Sequence, residues 1–138
     1  MNRAFLIAFV AFFSFLSRAQ AQIDTVAYLQ TLVANKTQFI DQPFTKLRDC
    51  LKLQIKYFGP YASKPSDIYK ETSTIFAFCK PGSASEVYMI YPCIEVYWRS
   101  PLNAGQSDVL FGNTGGAWTN TVFNFYSSGV ISDIKIRN

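Results

Sequence analysis

The stretch from Ala4 to Leu16, apolar apart from Ser14 and preceded by the cationic Arg3, most limits what this chain can fold into. It withdraws the first 21 residues from the fold. Ser17 and Arg18 end the run, and Ala19-Gln20-Ala21 places small residues where a signal peptidase reads. The run falls short of the roughly 20 residues a helix needs to cross a bilayer, so a cleaved secretory signal is favoured over a retained anchor. Residues 1–21 are therefore expected to be a signal peptide and residues 22–138 a single α+β domain. The protein is expected to be secreted or periplasmic, with no stable membrane insertion after cleavage. Cleavage after Ala21 exposes Gln22, which can cyclise and lose its amine charge.

What remains is 117 of the 138 residues, enough for one modest core and too few for two ordinary domains. Losing Arg3 and Arg18 reduces 13 basic and 9 acidic residues to 11 and 9. That weak balance argues against nucleic acid as a partner. The densest basic stretch, Lys46, Arg48, Lys52 and Lys56, is interrupted by Asp49 and apolar residues and reads as a solvated helix face. In an oxidising compartment the three cysteines allow one bridge with one thiol left over. Cys79 and Cys93 flank a predicted hairpin and are the favoured pair; three small buried thiols are the competing reading.

Between Asp24 and Lys36, Val26, Leu29, Leu32 and Val33 recur at helical spacing, with Asp24 as the cap. A second helix is expected to begin at Pro43, carry Phe44, Leu47, Cys50 and Leu51 as its apolar stripe, and end near Lys52. Alternation from Leu53 to Phe58 predicts a strand stopped by Gly59-Pro60. Ala62 to Lys70 reads as a loop, Thr72 to Cys79 and Val87 to Trp98 as strands, with Pro92 marking an edge or bulge. In the latter strand Ile94, Val96 and Trp98 oppose Glu95, Tyr97 and Arg99, so one face is buried and the other wet. Pro101 to Ser107 reads as a loop, Val109 to Phe111 as a short strand, and Gly112 to Gly116 as a flexible crossing. Trp118 to Tyr126 and Val130 to Ile136 read as strands joined by Ser127-Ser128-Gly129. The predicted fold is α+β, with two N-terminal helices packed on a mainly antiparallel sheet of four or five strands.

Histidine is absent, which removes Ser-His-Asp and Cys-His nucleophile activation and the histidine-containing zinc sites. No metal or cofactor is expected, and no catalytic residue is assigned. Ser132 and Lys135 match a serine acylase spacing, but in a strand they point to opposite faces. Glu71, Glu95 and Asp108 are the best carboxylates for a paired-acid mechanism, although nothing in their spacing fixes the separation glycoside hydrolysis requires. The glycines of the 112–116 loop lack the residues of a phosphate-binding motif. Asn35-Lys36-Thr37 is an N-glycosylation acceptor only in a host with that chemistry.

Aromatic residues concentrate in the sheet half, and most belong in the core of so small a domain. With Val96 and Trp98 inward, Glu95, Tyr97 and Arg99 emerge together, a rigid aromatic beside a planar donor. Trp118 and Asn120, in phase on their predicted strand, would extend that patch if the two strands are neighbours. These five residues form the candidate binding set.

The segment Asn35-Lys36-Thr37-Gln38-Phe39-Ile40-Asp41-Gln42-Pro43-Phe44, followed by Leu47 and Leu51, resembles the opening of uncharacterised small secreted proteins of Bacteroidota. The stretches Tyr97 to Asn103 and Gly129 to Ile136 are similar in texture to the same group. The resemblance implies an exported single domain and supplies no active-site residue. The expected function is a non-enzymatic exported module that binds a protein, peptide or glycan through its sheet face or loops. The alternatives are a histidine-free hydrolase using a carboxylate pair and a structural assembly subunit.

Overall fold

Asp24 opens the first helix by geometry as well as by composition: its carboxylate accepts from the amides of Val26 and Ala27 at 3.1 and 3.2 Å, satisfying two of the donors a helix start leaves over. The computed structural model describes residues 24–61, 67–80, 82 and 92–137. The expected leader at 1–21 and the predicted strand start at Val87 lie outside the described residues. Helix α1 (Thr25–Ala34) buries Leu29 and Leu32 and is followed by a single 3₁₀ turn, Lys36–Gln38. Helix α2 (Phe44–Cys50) buries Phe44 and Leu47. Its predicted apolar stripe stops short, since Cys50 is exposed. Pro43 is extended and flanks the helix without entering it.

Four antiparallel strands, β1 (Tyr57–Tyr61), β2 (Lys70–Ala77), β3 (Cys93–Asn103) and β4 (Ile131–Arg137), lie in the order β1-β2-β3-β4. Between β3 and β4 come helices α3 (Ala104–Thr114) and α4 (Asn120–Tyr126). The fold is thus α+β, with four α-helices among the described residues. Its order differs from the predicted helices-then-strands arrangement.

Three sequence expectations are corrected here. The strand expected from Leu53 to Phe58 begins at Tyr57 and continues through Gly59 and Pro60. Proline is accommodated because β1 is an edge strand: the Phe58 amide points away from β2 to the Gly116 carbonyl at 2.9 Å, and Pro60, two residues on, shares that direction. The region read as loop, short strand and crossing contains helix α3, closed by Asn103 at its start, whose side chain accepts from the Gln106 amide, and by left-handed Gly115 at its end. Trp118 to Tyr126 is no strand either. Thr119 caps α4 by accepting from the Val122 amide at 3.3 Å, and Val122 and Tyr126, one turn apart, are both buried. Pro92 precedes β3, and the strand's irregularities fall farther along.

The predicted alternation in β3 holds for the inward row alone: on the other face Cys93 and Glu95 are buried and Tyr97 half-buried, with Cys93 packed among Tyr57, Ile75 and Ala77, so that face is not wet as expected. Ile94, Val96 and Trp98 join Phe58, Phe76 and Ile134 on the face covered by the helices. Pairing shifts by one residue where Tyr97 opposes Asp133 and Trp98 opposes Ile131, a bulge that turns both Ile131 and Ile134 inward. Aromatic rings fill the space between the layers. Phe44 stacks on Phe76 at 4.7 Å and Trp98 on Tyr126 at 5.8 Å, while Phe58 meets Tyr126 edge-on at 5.7 Å. Such pairs add about 0.5–1.5 kcal/mol each beyond the area they bury.

A cleft floored by Trp118

Beyond α2 the chain bends at Lys52 and Leu53, and the Trp118 amide donates to the Lys56 carbonyl at 3.1 Å. This backbone bond sets the indole beside the C-terminal end of α2. Trp118 is half-buried: its inner side meets Phe76 edge-on at 5.5 Å, Phe44 at 6.1 Å and Phe123 at 6.3 Å, and lies nearly parallel to Tyr126 at 6.3 Å. The rest faces a cleft of about 580 Å³ lined by Trp118, Arg48, Asp49, Gln54, Lys56 and the apolar Leu51, Leu53 and Ile55. That volume lies within the range of small-ligand sites.

The polar rim carries two cations and one carboxylate. The Arg48 guanidinium sits over the Phe123 ring at 4.2 Å, a cation–π contact, and its Nε meets Asp49 Oδ1 at 3.2 Å. Lys56 Nζ donates to Gln54 Oε1 at 2.8 Å. The rim therefore carries both donors and acceptors beside an aromatic floor.

The five residues singled out in the sequence do not come together. Glu95 and Tyr97 lie on the sheet face opposite the helices. Glu95 is 1 % exposed, so it is no part of an open patch. Its Oε1 accepts from Ser73 Oγ at 2.7 Å and its Oε2 from Arg137 Nε at 2.6 Å. Burial pushes the Glu95 carboxyl up, but the bonds from Arg137 and Ser73 outweigh it and hold the group below the ordinary carboxylate range. Tyr97 is half-buried under Lys135, whose Nζ lies 4.6 Å from the ring centre. Arg99 is exposed and ion-paired with Asp41, a residue held at φ 62. Trp118 lies on the helix side, and Asn120 is exposed at the start of α4. Misreading α4 as a strand is what placed Trp118 and Asn120 next to Tyr97.

Of the carboxylates considered for catalysis, Glu71 and Glu95 lie on opposite faces of the sheet. Glu71 is fully buried beneath the helices, its Oε1 accepting from Tyr126 OH at 2.9 Å and from Thr74 Oγ1. Thr74 in turn accepts from Trp98 Nε1 at 2.8 Å. Burial raises the Glu71 carboxyl above its ordinary range, against the hydroxyls of Ser107, Thr74 and Tyr126 and with a small push from Asp108. Glu71 lines none of the clefts described, and Glu95 faces the other way. Asp108 is exposed on α3.

Cys79 is a thiol in this structure, so the bridge to Cys93 is not formed. The buried Cys93 Sγ lies 3.7 Å from the Arg137 carbonyl oxygen, and burial pushes its pKa up to about 11. Among the described residues no group of acidic, cysteine or histidine side chains is placed to hold a metal ion, and no helix is long and apolar enough to cross a membrane. Sequence reasoning passed over Arg48, Asp49, Gln54 and Lys56 as site residues. The interrupted basic stretch was the available signal. No protein-family model, curated protein or solved structure matches the chain.

Proposed function

We propose that this protein is an exported, non-enzymatic module that binds its ligand in the Trp118 cleft. One observation carries the reading: a half-exposed indole, anchored by its inner side to the aromatic core, floors a cleft rimmed by charged and amide side chains. A rigid aromatic beside fixed polar groups binds at low conformational cost. The buried carboxylates lie outside that cleft and hold structural bonds, Glu95 through both oxygens and Glu71 through Oε1, which favours binding over hydrolysis. The leader at residues 1–21 and the resemblance to small secreted proteins of Bacteroidota support export to the periplasm or medium.

Two measurements test this. N-terminal analysis of the protein recovered from the producing cell should find the mature chain beginning at Gln22 and outside the cytoplasm. Titration with panels of oligosaccharides and unstructured peptides should identify a binder that protects Trp118 from acrylamide quenching, with Trp98 replaced by Phe to isolate the signal. Turnover of a panel compound abolished by Glu71→Gln or Glu95→Gln would overturn the non-enzymatic reading, and a binder that leaves Trp118 unprotected would overturn the choice of site.

A further inference from the structure

Resting on the cleft assignment above, we propose that the ligand is an acidic saccharide, one bearing carboxylate groups on pyranose rings. The half-buried indole offers an apolar contact for the C–H face of a sugar ring. A hydroxyl-rich ring also needs donors and acceptors close together at its periphery, and Arg48, Lys56, Gln54 and Asp49 supply both kinds on one rim. Two cations against one carboxylate give the rim a positive balance. The better-fixed cation is Arg48, held over Phe123 at 4.2 Å with its Nε turned to Asp49. A guanidinium held by these two contacts is suited to a carboxylate, whose two oxygens it can bind together.

An acidic peptide would satisfy the same charges but gains less from this architecture. Extended peptides draw affinity from pairing their backbone with an open strand edge. Beside the cleft that edge is taken: the Phe58 amide donates to the Gly116 carbonyl and the Trp118 amide to the Lys56 carbonyl. The rim therefore meets its ligand through side chains, which suits a saccharide.

Calorimetric titration of the full chain with trigalacturonate, maltotriose and a glutamate-rich decapeptide tests the assignment. Trigalacturonate should bind, maltotriose should bind at least about ten-fold more weakly, and the acidic ligand should weaken as salt is raised. Lys56→Gln and Arg48→Gln should each reduce trigalacturonate affinity about five- to twenty-fold. Lys135→Gln, on the opposite face of the sheet, should leave it unchanged. Both cleft residues are exposed, so their replacement by glutamine should leave the fold intact, which circular dichroism checks for each variant. Equal binding of maltotriose and trigalacturonate in the cleft would overturn the acidic assignment while leaving the binding-module reading in place. Preferential binding of the decapeptide there would replace saccharide with acidic peptide. If none of the three probes binds, the saccharide assignment fails, whereas the broader panel titration decides the binding-module reading separately.

Discussion

Replacing Gly112, Gly115 and Gly116 by alanine one at a time should give three different outcomes from the same chemical change. Gly112 lies inside α3, and a Cβ built there meets nothing within 4 Å. Alanine in a helix interior should therefore stabilise by about 0.5–1 kcal/mol through lower chain entropy. Gly115 also has open space but sits at φ 61 as the left-handed cap, so alanine should cost about 1–2 kcal/mol of backbone strain. Gly116 combines φ 82 with a collision: its Cβ would lie 2.6 Å from Cζ and 2.9 Å from Cδ2 of Tyr57, and closer still to Cε2. Tyr57 is buried and wedged edge-on against Phe111 at 6.0 Å, so the ring cannot simply swing aside. Overpacking adds about 1–3 kcal/mol to the strain, giving a loss of about 3 kcal/mol or more.

Urea unfolding followed by tryptophan fluorescence reads all three as shifts in midpoint at constant slope. Tyr57→Leu combined with Gly116→Ala should recover part of the loss, a coupling that a double-mutant cycle isolates. The reasoning fails if Gly116→Ala costs no more than Gly115→Ala, because the ring would then not occupy that space. A clear destabilisation by Gly112→Ala would refute helix α3 itself and restore a loop at that position.

The two buried carboxylates should shape stability on opposite sides of the pH scale. Glu71 is raised from 4.5, chiefly by burial, so its contribution is complete below that pH and is lost as pH rises through the folded value; Glu71→Gln should flatten this decline in urea midpoints measured across pH. Glu95 is held low by Arg137 and Ser73 against the effect of burial. Its contribution is present above the unfolded value and disappears as pH falls through the folded one, so Glu95→Gln should flatten the acid limb instead. Asp24→Ala should remove the α1 cap and cost about 1 kcal/mol in thermal or urea unfolding; an unchanged midpoint would contradict the capping geometry.

What was legible in the sequence had a local cause. The Asp24 cap and the spacing of Leu29 and Leu32 needed no tertiary information, and the inward row Ile94, Val96 and Trp98 follows from strand period alone, whereas burial of the opposite face around Cys93, Ile75 and Glu95 depends on tertiary packing. Helix α4 was hidden because Val122, Phe123, Phe125 and Tyr126 have the composition of a strand. Burial of Val122 and Tyr126 against the aromatic core outweighs that preference. Helix α3 was obscured by Gly105, Gly112 and Asn113, weak helix formers, although Asn103 and Gly115 carried both end signals. The site was less legible than the fold. Arg48 and Lys56 come from either side of the turn after α2, and Trp118 reaches them through a backbone bond to Lys56, a pairing no periodicity reports.

Both borders of the sheet are partly closed by the chain itself. Gly116 to Trp118 lines the outer side of β1, where Pro60 also withholds a donor. The start of β4 exchanges backbone bonds with Gln42 and Asp41, and Lys36 Nζ reaches the Ile134 carbonyl at 3.4 Å. A second molecule trying to add a strand would first have to break these bonds. Association between copies is therefore steered toward side-chain contacts or the exposed Cys50 thiol, and away from the endless strand-on-strand growth that produces fibres.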